Sequence, residues 1–462
     1  MTNIHPQLAS LEAFLENHPA IKYIPPSSPN YSTARKIFNC SRPDNPLAIV
    51  QPQSATDVSV IVKYAKLNNL PFTIRVGGHN LEGRSLVEGA LLIDLRALNG
   101  VKIADDRQTA IVQGGIIQAE LGKKLWDEGL VTPVGTTPSV GYVGWAVYGG
   151  YGSFSGHWGL GVDQIVGATV VNPEGEIITA DESLLRGIRG AGGLFGVIVD
   201  LTIKVYPLKT LLTGALMFDS QDIGKTFIDF NAAYEKFKAE EPLPQQLTVQ
   251  QIVFNAPPGR TFGVLFFWSG ADIEQGQRWS EKIARLGPVI VNTIATTGIP
   301  EWMIANGALV PPSVYGAART HSVRRISPQV AEAIARHLVN MPADPGTMLS
   351  VHELRGVSAE AKSDSVFATR EPHFMLEMCG FATAEIGKAA SEKWAIQLAE
   401  DIGQTDASNI VSTAYISLYN MADAAPADVL AKTYGGNARD VTELKESFDP
   451  SNVFSLTVPL LR

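Results

Sequence analysis

The sequence predicts an α+β protein built from two unlike parts, and three observations carry that prediction. Residues Leu47 to Asp94 alternate strand and helix patterns, Gly135 to Gly161 hold nine glycines, and from about Leu208 onward the pattern changes to strands separated by long helices. These shifts divide the 462-residue chain into residues 1–207 with a core at about 42–207, residues 208–424, and a closing segment 425–462 expected to return to the first part.

The first part opens with an apolar-periodic helix from Pro6 to Glu16. Leu47–Val50 reads as a strand, and Ser54 or Thr56 can cap a helix whose face is Val58, Ile61, Val62 and Ala65. Pro71–Val76 and Leu91–Leu95 read as further strands. Val101–Ile103 and Ala110–Val112 form a hairpin pattern, Gln118–Glu128 is amphipathic, and Ala168–Val171, Asn172–Gly175 and Glu176–Thr179 read as strand, turn and strand. Val197–Val205 completes this part. Beyond it, strands are expected near Leu247–Phe254, Phe262–Trp268, Met348–Glu353, Phe374–Met378 and Val411–Leu418, with helices near Asp222–Ala239, Ile273–Leu286, Pro328–Val339 and Ala384–Ile402. That pattern fits an antiparallel sheet covered by helices on one face.

Composition narrows the function. Asp and Glu number 46 against 37 Lys and Arg, for a formal charge of -9, so no basic footprint for nucleic acid or anionic lipid is expected. No apolar run is long enough for a membrane span and the first residues lack a signal-peptide pattern, which favours a soluble, cytoplasmic reading. Cys40 and Cys379 read as buried free thiols, and the eight histidines form no metal-ligand spacing, so no metal is expected. P-loop, zincin, nucleophile-elbow and Gly-x-Gly-x-x-Gly patterns do not occur.

Two segments concentrate the chemistry. Arg75-Val76-Gly77-Gly78-His79-Asn80-Leu81-Glu82-Gly83-Arg84-Ser85 follows a strand directly, where adjacent glycines leave backbone N–H groups free for an anion. The second runs from Pro133 through Gly135, Thr137, Pro138, Ser139, Gly141, Gly144, Gly150, Tyr151 and Gly152, and its glycine density suits a ligand lying along main chain.

With Ile93-Asp94-Leu95, Val162-Asp163-Gln164-Ile165-Val166, Tyr434-Gly435-Gly436-Asn437 and Phe448-Asp449-Pro450-Ser451-Asn452 in the same order, the sequence resembles the berberine-bridge-enzyme-like branch of FAD-linked oxidoreductases, with the vanillyl-alcohol-oxidase or PCMH-type FAD-binding domain. The resemblance implies a two-part FAD-binding domain of two small α/β subdomains. It implies that Arg75, Gly77, Gly78, Asn80, Leu81 and Ser85 lie near the pyrophosphate, and that His79 is bonded to the flavin 8α-methyl. Gly135, Thr137, Pro138, Ser139, Gly141, Gly144, Gly150, Tyr151, Gly152, Ile198, Tyr434 and Asn437 complete the implied cofactor set.

The sequence departs from the family pattern in three places. Thr137 stands where doubly linked members have cysteine, so one histidyl bond and no cysteinyl link are expected. Tyr142 replaces a smaller residue at a position tied to oxygen access, which brings a non-oxygen acceptor into view, and Trp158 replaces a tyrosine and has no acidic proton. In the second part the family's sheet faces the flavin. A one-residue register shift in Ser417-Leu418-Tyr419-Asn420 puts Tyr419 in the place of the catalytic tyrosine, with Tyr415 on the same strand face. Tyr419, Tyr415, Glu353 and His352 are therefore the candidate bases for removing a substrate proton as hydride leaves carbon. Phe266, Phe267, Trp268, Trp302, Tyr315 and Phe374 suggest an aromatic-tolerant pocket. The expected partners are a small organic alcohol or specialised metabolite and dioxygen, reduced to hydrogen peroxide, with the chain a monomer or weak homodimer. The competing expectations are a dehydrogenase, or a non-redox cyclase or binding protein that retains FAD.

Overall fold

The computed structural model describes residues 6–81, 83–257, 259–419 and 426–457. Three main sheets organise them. The first joins Lys22–Ile24, Ala48–Gln51, Leu91–Asp94 and Phe72–Arg75 in that spatial order, the last three strands parallel. Its crossover helix, Ala55–Leu67, starts where the Ser54 side chain accepts a hydrogen bond from the Asp57 N–H at 3.1 Å, and it buries Val58, Ile61 and Val62. The second sheet orders Val101–Ile103, Thr109–Gln113, Val197–Lys204, Ile165–Val171 and Ile177–Thr179, all antiparallel.

The third sheet is the largest. Its order is Val289–Asn292, Leu211–Phe218, Gly259–Trp268, Leu247–Ala256, Thr347–Leu354, His373–Ala382 and Tyr315–Val323, with Ala295–Thr297 also paired to the Leu211 strand, and every pairing is antiparallel. Helices Ile223–Glu240, Ile273–Ala284, Pro328–Leu338 and Lys388–Gly403 cover one face, sealing a core that includes Phe227, Phe262, Phe266, Trp268, Leu349, Val351, Phe374 and Leu376. Alternation along each strand then sends Gln250, Ser350, His352 and Glu377 to the opposite, helix-free face.

Several expectations change. Val411–Leu418 forms no strand, although its β-branched start reads like one. Its ladder partners are taken elsewhere. The Val411 N–H reaches Ser322, the Ala414 N–H reaches Lys432 at 2.7 Å, the Thr413 and Thr369 hydroxyls meet at 2.7 Å, and the chain turns where the Leu418 N–H reaches Tyr415. Tyr415 and Tyr419 therefore share no strand face. Leu211–Phe218, Tyr315–Val323 and the helix Ile299–Gly307 are elements that the sequence pattern does not announce. Phe266, Trp268 and Phe374 fill the helix-side core, while Phe267 and Trp302 pack with Phe154 in another core, so these five aromatics are core side chains. Cys40 is only half-buried; Cys379 is buried, and both are free.

Candidate active site

The strand Phe72–Arg75 delivers the chain into the Gly77–Gly78 turn. Gly78 has φ +69°, and a side chain on Gly77 would stand 2.3 Å from the Ser139 carbonyl oxygen and 2.6 Å from the Gly141 nitrogen. Glycine is required there because the two glycine-bearing segments, about sixty residues apart, run main chain against main chain. The second segment is anchored in turn. Gln118 and Ala119 at the start of helix Gln118–Trp126 donate backbone N–H groups to the Val140 and Pro138 carbonyls, and the Gln118 side chain accepts from the Gly135 N–H.

His79 stands at the edge of this slot. Its Nε2 lies 2.8 Å from the Ser139 hydroxyl, and its ring stacks on Phe38 with centroids 4.4 Å apart. Desolvation in this position pulls its pKa down to about 4, so the ring is neutral at neutral pH and keeps a nucleophilic lone pair. Beside it the Ser85 hydroxyl is buried without a hydrogen-bond partner, and the Asn80 side chain accepts from the Arg84 N–H. A backbone cradle, a neutral imidazole and an unpartnered buried hydroxyl together fit a phosphate-bearing flavin cofactor.

Other implied cofactor residues have protein duties. Arg75 is buried in an ion pair with Asp94 at 2.7 Å and also donates to the Ala34 and Lys36 carbonyls, which locks two strands together. The Leu81 side chain packs with Val314, Ala318 and Cys379, and Ile198 lies in the core beside the second sheet. Asn437 is held by its own contacts, donating to the Val366 carbonyl at 3.1 Å and accepting from Arg186 at 3.4 Å. Tyr434 is buried with its hydroxyl unpartnered. Gly144 lies exposed, with open space around it. Tyr142 packs its ring into the core beside Trp145, where burial raises its pKa.

The Gly149–Gly152 run docks on the third sheet. A side chain on Gly149, whose φ is +127°, would strike Phe367 and Tyr415. The Tyr151 ring lies 4.7 Å from Tyr415, and its hydroxyl is 3.0 Å from His373 Nε2. His373 Nδ1 faces the Glu371 carbonyl at 2.7 Å, so Nδ1 carries the proton, Nε2 accepts, and Tyr151 is the donor. Burial lowers the His373 pKa and raises that of Tyr151. Thr248 on the sheet donates to the Ser153 carbonyl at 2.7 Å. Between the run and the sheet lies a cavity of about 10 Å³, lined by Tyr151, Gly152, Ser155, Thr248, Gln250, His352 and Glu353. That is about the room one water needs.

On the helix-free face, His352 Nε2 lies 3.1 Å from the Ser350 hydroxyl, 3.4 Å from the Gln250 amide and 3.4 Å from Glu377 Oε2. Toward the His79 turn this face becomes apolar. Phe38, stacked on His79, meets Phe381 edge-on at 6.2 Å, and Phe381 packs with Cys379 and Val314, with Met348 against them.

Of the four candidate bases, the structure brings two to this region. His352 sits in the polar cluster and Tyr415 packs against Tyr151. Glu353 points the other way: Tyr234 donates to it at 2.6 Å and Lys238 at 2.9 Å, beneath the helix layer. Strand alternation separates it from His352. Tyr419 follows the turn, half-buried and away from the sheet ladder. Sequence reasoning missed Gln250, Ser350 and Glu377. A period-two reading of His373-Phe374-Met375-Leu376-Glu377-Met378-Cys379 puts Glu377 opposite Leu376, and a lone carboxylate in such a strand is the signal that finds it.

With the glycine-built slot and the polar patch of the sheet in place, comparison with known proteins relates the chain to FAD-linked oxidoreductases. Residues 46–181 match the family described as the FAD binding domain. Over 440 residues the chain is 29% identical to the FAD-linked oxidoreductase aurO of Gibberella zeae, covering 94% of this chain and 85% of that protein. It is 28% identical to (R)-6-hydroxynicotine oxidase of Paenarthrobacter nicotinovorans, covering 93% and 94%. The crystal structure of 6-hydroxy-D-nicotine oxidase from Arthrobacter nicotinovorans shares the fold at TM-score 0.83 and 22% identity, over 95% of this chain and 97% of that one. The chain is thus similar over most of its length to FAD-linked oxidoreductases, and it shares the fold of the BBE-like 1 protein of Physcomitrella patens at TM-score 0.82 and 19% identity, over 98% of this chain and 99% of that one. Among the described residues no helix is long and apolar enough to cross a membrane, and no group of three or more His, Cys, Asp or Glu side chains could hold a metal ion.

Proposed function

We propose that this flavoprotein holds FAD through a single covalent bond from His79, takes hydride from a C–H bond of a small organic alcohol or specialised metabolite, and passes the electrons to dioxygen to give hydrogen peroxide. The observation that carries the reading is His79 itself. A neutral imidazole at the edge of a glycine slot, with Nε2 against the Ser139 hydroxyl, leaves Nδ1 as the nitrogen available for the flavin 8α-carbon. When bound, FAD supplies a two-electron acceptor. Gly77, Gly78, Asn80 and Ser85 would meet its pyrophosphate, and main chain from Gly141 to Gly152 would lie along the rest. Thr137, in place of a second linking residue, supports one bond rather than two.

The protein's own side chains supply substrate contacts. Ser350, Gln250 and His352 offer hydrogen bonds to a hydroxyl, and His352 is the best-placed of the candidate bases. Relatives named as oxidases, among them (R)-6-hydroxynicotine oxidase and the chitooligosaccharide oxidase of Gibberella zeae, support oxygen as acceptor. The dehydrogenase alternative turned on Tyr142, and the enclosure of that ring in the core beside Trp145 favours the oxidase.

The test is colour and its loss. Acid-denatured protein is expected to stay yellow, and His79→Ala to release its flavin. Anaerobic mixing with a panel of alcohols and amines should bleach the flavin, and admitted air should restore it with peroxide. Free flavin from the unmutated protein, or no bleaching by any panel member, overturns the reading.

A further inference from the structure

Glu377 is the one carboxylate in the polar cluster of the helix-free face. Across the sheet it sits opposite Ser350 on one side and Thr320 on the other. Its Oε2 is 3.4 Å from His352 Nε2, and no Lys or Arg side chain among the described residues pairs with it. The titratable groups facing this pair are the Cys379 thiol next to Glu377, Tyr415 from the segment after the sheet, and Tyr151 from the glycine-rich run. All the partners of the imidazole converge on one nitrogen. Ser350, Gln250 and Glu377 surround Nε2, while no hydrogen bond among the described residues engages Nδ1.

That asymmetry determines the tautomer. A carboxylate oxygen accepts from Nε2–H, and with the Gln250 amide flipped its oxygen takes the Ser350 hydroxyl proton at 2.8 Å and leaves the Ser350 oxygen to accept from Nε2 as well. The neutral ring therefore carries its hydrogen on Nε2 and its lone pair on Nδ1. We infer that Glu377 is a positioning residue that fixes His352 with Nδ1 as the proton acceptor for the substrate hydroxyl, and that it stabilises the imidazolium formed. The inference deepens the oxidoreductase reading and rests on it. In the step the substrate O–H bond breaks and its proton bonds to Nδ1. The C–H electron pair leaves with its hydrogen as hydride to FAD, and a carbonyl forms. Charge balances because the imidazolium sits beside a carboxylate instead of alone in a low-dielectric pocket.

The tautomer can be read without turnover. Two-bond proton–nitrogen spectra of FAD-loaded protein labelled with ¹⁵N-histidine, with His352 assigned by the signal missing in His352→Gln, are expected to show the Nε2–H form. Glu377→Met should give a mixture of tautomers, while Glu377→Gln, which keeps an acceptor oxygen, should retain the Nε2–H form. An Nδ1–H ring in the unmutated protein, or a signal unchanged in Glu377→Met, overturns the inference. For an alcohol that bleaches the flavin, the limiting bleaching rate should fall by about 100-fold or more in His352→Gln and by about 10-fold or more in Glu377→Gln, since the charge is lost with the hydrogen bond kept. Unchanged rates in both overturn it too. If nothing in the panel bleaches the unmutated flavin, the oxidoreductase reading fails, and the spectra still decide the tautomer.

Discussion

The slot around His79 and the wall around His352 are made of different material. In the slot, main chain approaches main chain, and the required residue is the one with no side chain: Gly77 lies against Ser139 and Gly141, and Gly152 against the Val134 carbonyl. In the wall, Gln250, Ser350, His352 and Glu377 come from three strands and meet only through register. A backbone-built site tolerates almost no substitution, whereas a side-chain-built site can be retuned one residue at a time while the fold stands. On the function proposed above, substrate choice would reside in the wall and cofactor retention in the slot.

The most disruptive way to test that contrast is Gly77→Ala. The new methyl would stand 2.3 Å from a carbonyl oxygen in a segment tied down by the Gln118 helix, so neither side can yield. Flavin content per chain, from the visible-to-280 nm absorbance ratio, should fall at least about tenfold, corresponding to about 1.4 kcal/mol or more of lost affinity. Gln250→Leu in the wall should leave that ratio unchanged. Equal losses in the two variants would erase the distinction between slot and wall.

Arg75→Met tests the fold beneath the slot and is read in stability rather than in flavin content. It strands Asp94 in a buried ion pair whose side chains are 8% and 4% exposed, and such a loss costs about 3–5 kcal/mol. The surface pair Arg324–Glu371, 44% and 42% exposed, should cost at most about 1 kcal/mol on Arg324→Met. Urea midpoints of the two variants measure the difference. A small effect at Arg75 would mean that this residue contacts the cofactor more than it braces the strands Phe72–Arg75 and Leu91–Asp94.

These cases also show which parts of the molecule are legible in its sequence. The slot was legible because its glycines and His79 are contiguous in two short segments and because strand-then-Gly-Gly is a local signal. The helix layer was legible from long apolar periods such as Ile223–Glu240. The wall was legible only in part. His352 is among the candidates the sequence offers, but its partners Gln250 and Glu377 lie 102 and 25 residues away, joined to it by a register that no local pattern encodes. Val411–Leu418 misled for a related reason: β-branched residues permit a strand, but whether a ladder partner remains free is decided by the closing segment, which takes the Ala414 N–H for Lys432.

A smaller, graded effect comes from acid. His79 titrates near 4 in the fold and near 6.5 when unfolded, so between those values the unfolded chain binds more protons and stability rises with pH. His157, His321 and His373 are shifted in the same direction by burial. Urea midpoints of flavin-free protein should therefore fall from pH 6.5 toward pH 4, each such histidine contributing at most about 1.4 kcal/mol per pH unit. His79→Gln should flatten part of that slope. An unaltered slope would mean that the His79 ring is solvated before the flavin arrives, and the slot would then be assembled by the cofactor instead of waiting for it.

The smallest effect is expected at Tyr419. On a strand it would have shared a face with Tyr415, but the turn at Ile416–Leu418 separates them. Tyr415 is buried against Tyr151 and Gly149, while Tyr419 is half-buried beyond the turn. Removing the Tyr419 hydroxyl should change the limiting rate of flavin bleaching by less than about twofold, under about 0.4 kcal/mol of barrier. Tyr415→Phe should do more, since the hydroxyl it removes lies beside the glycine-rich run and Ser417. If Tyr419→Phe slowed bleaching tenfold while Tyr415→Phe did not, the reacting carbon would have to sit toward the turn and not over the strand Thr347–Leu354. The wall would then be a flank of the pocket, and His352 would be too far along it to take the proton.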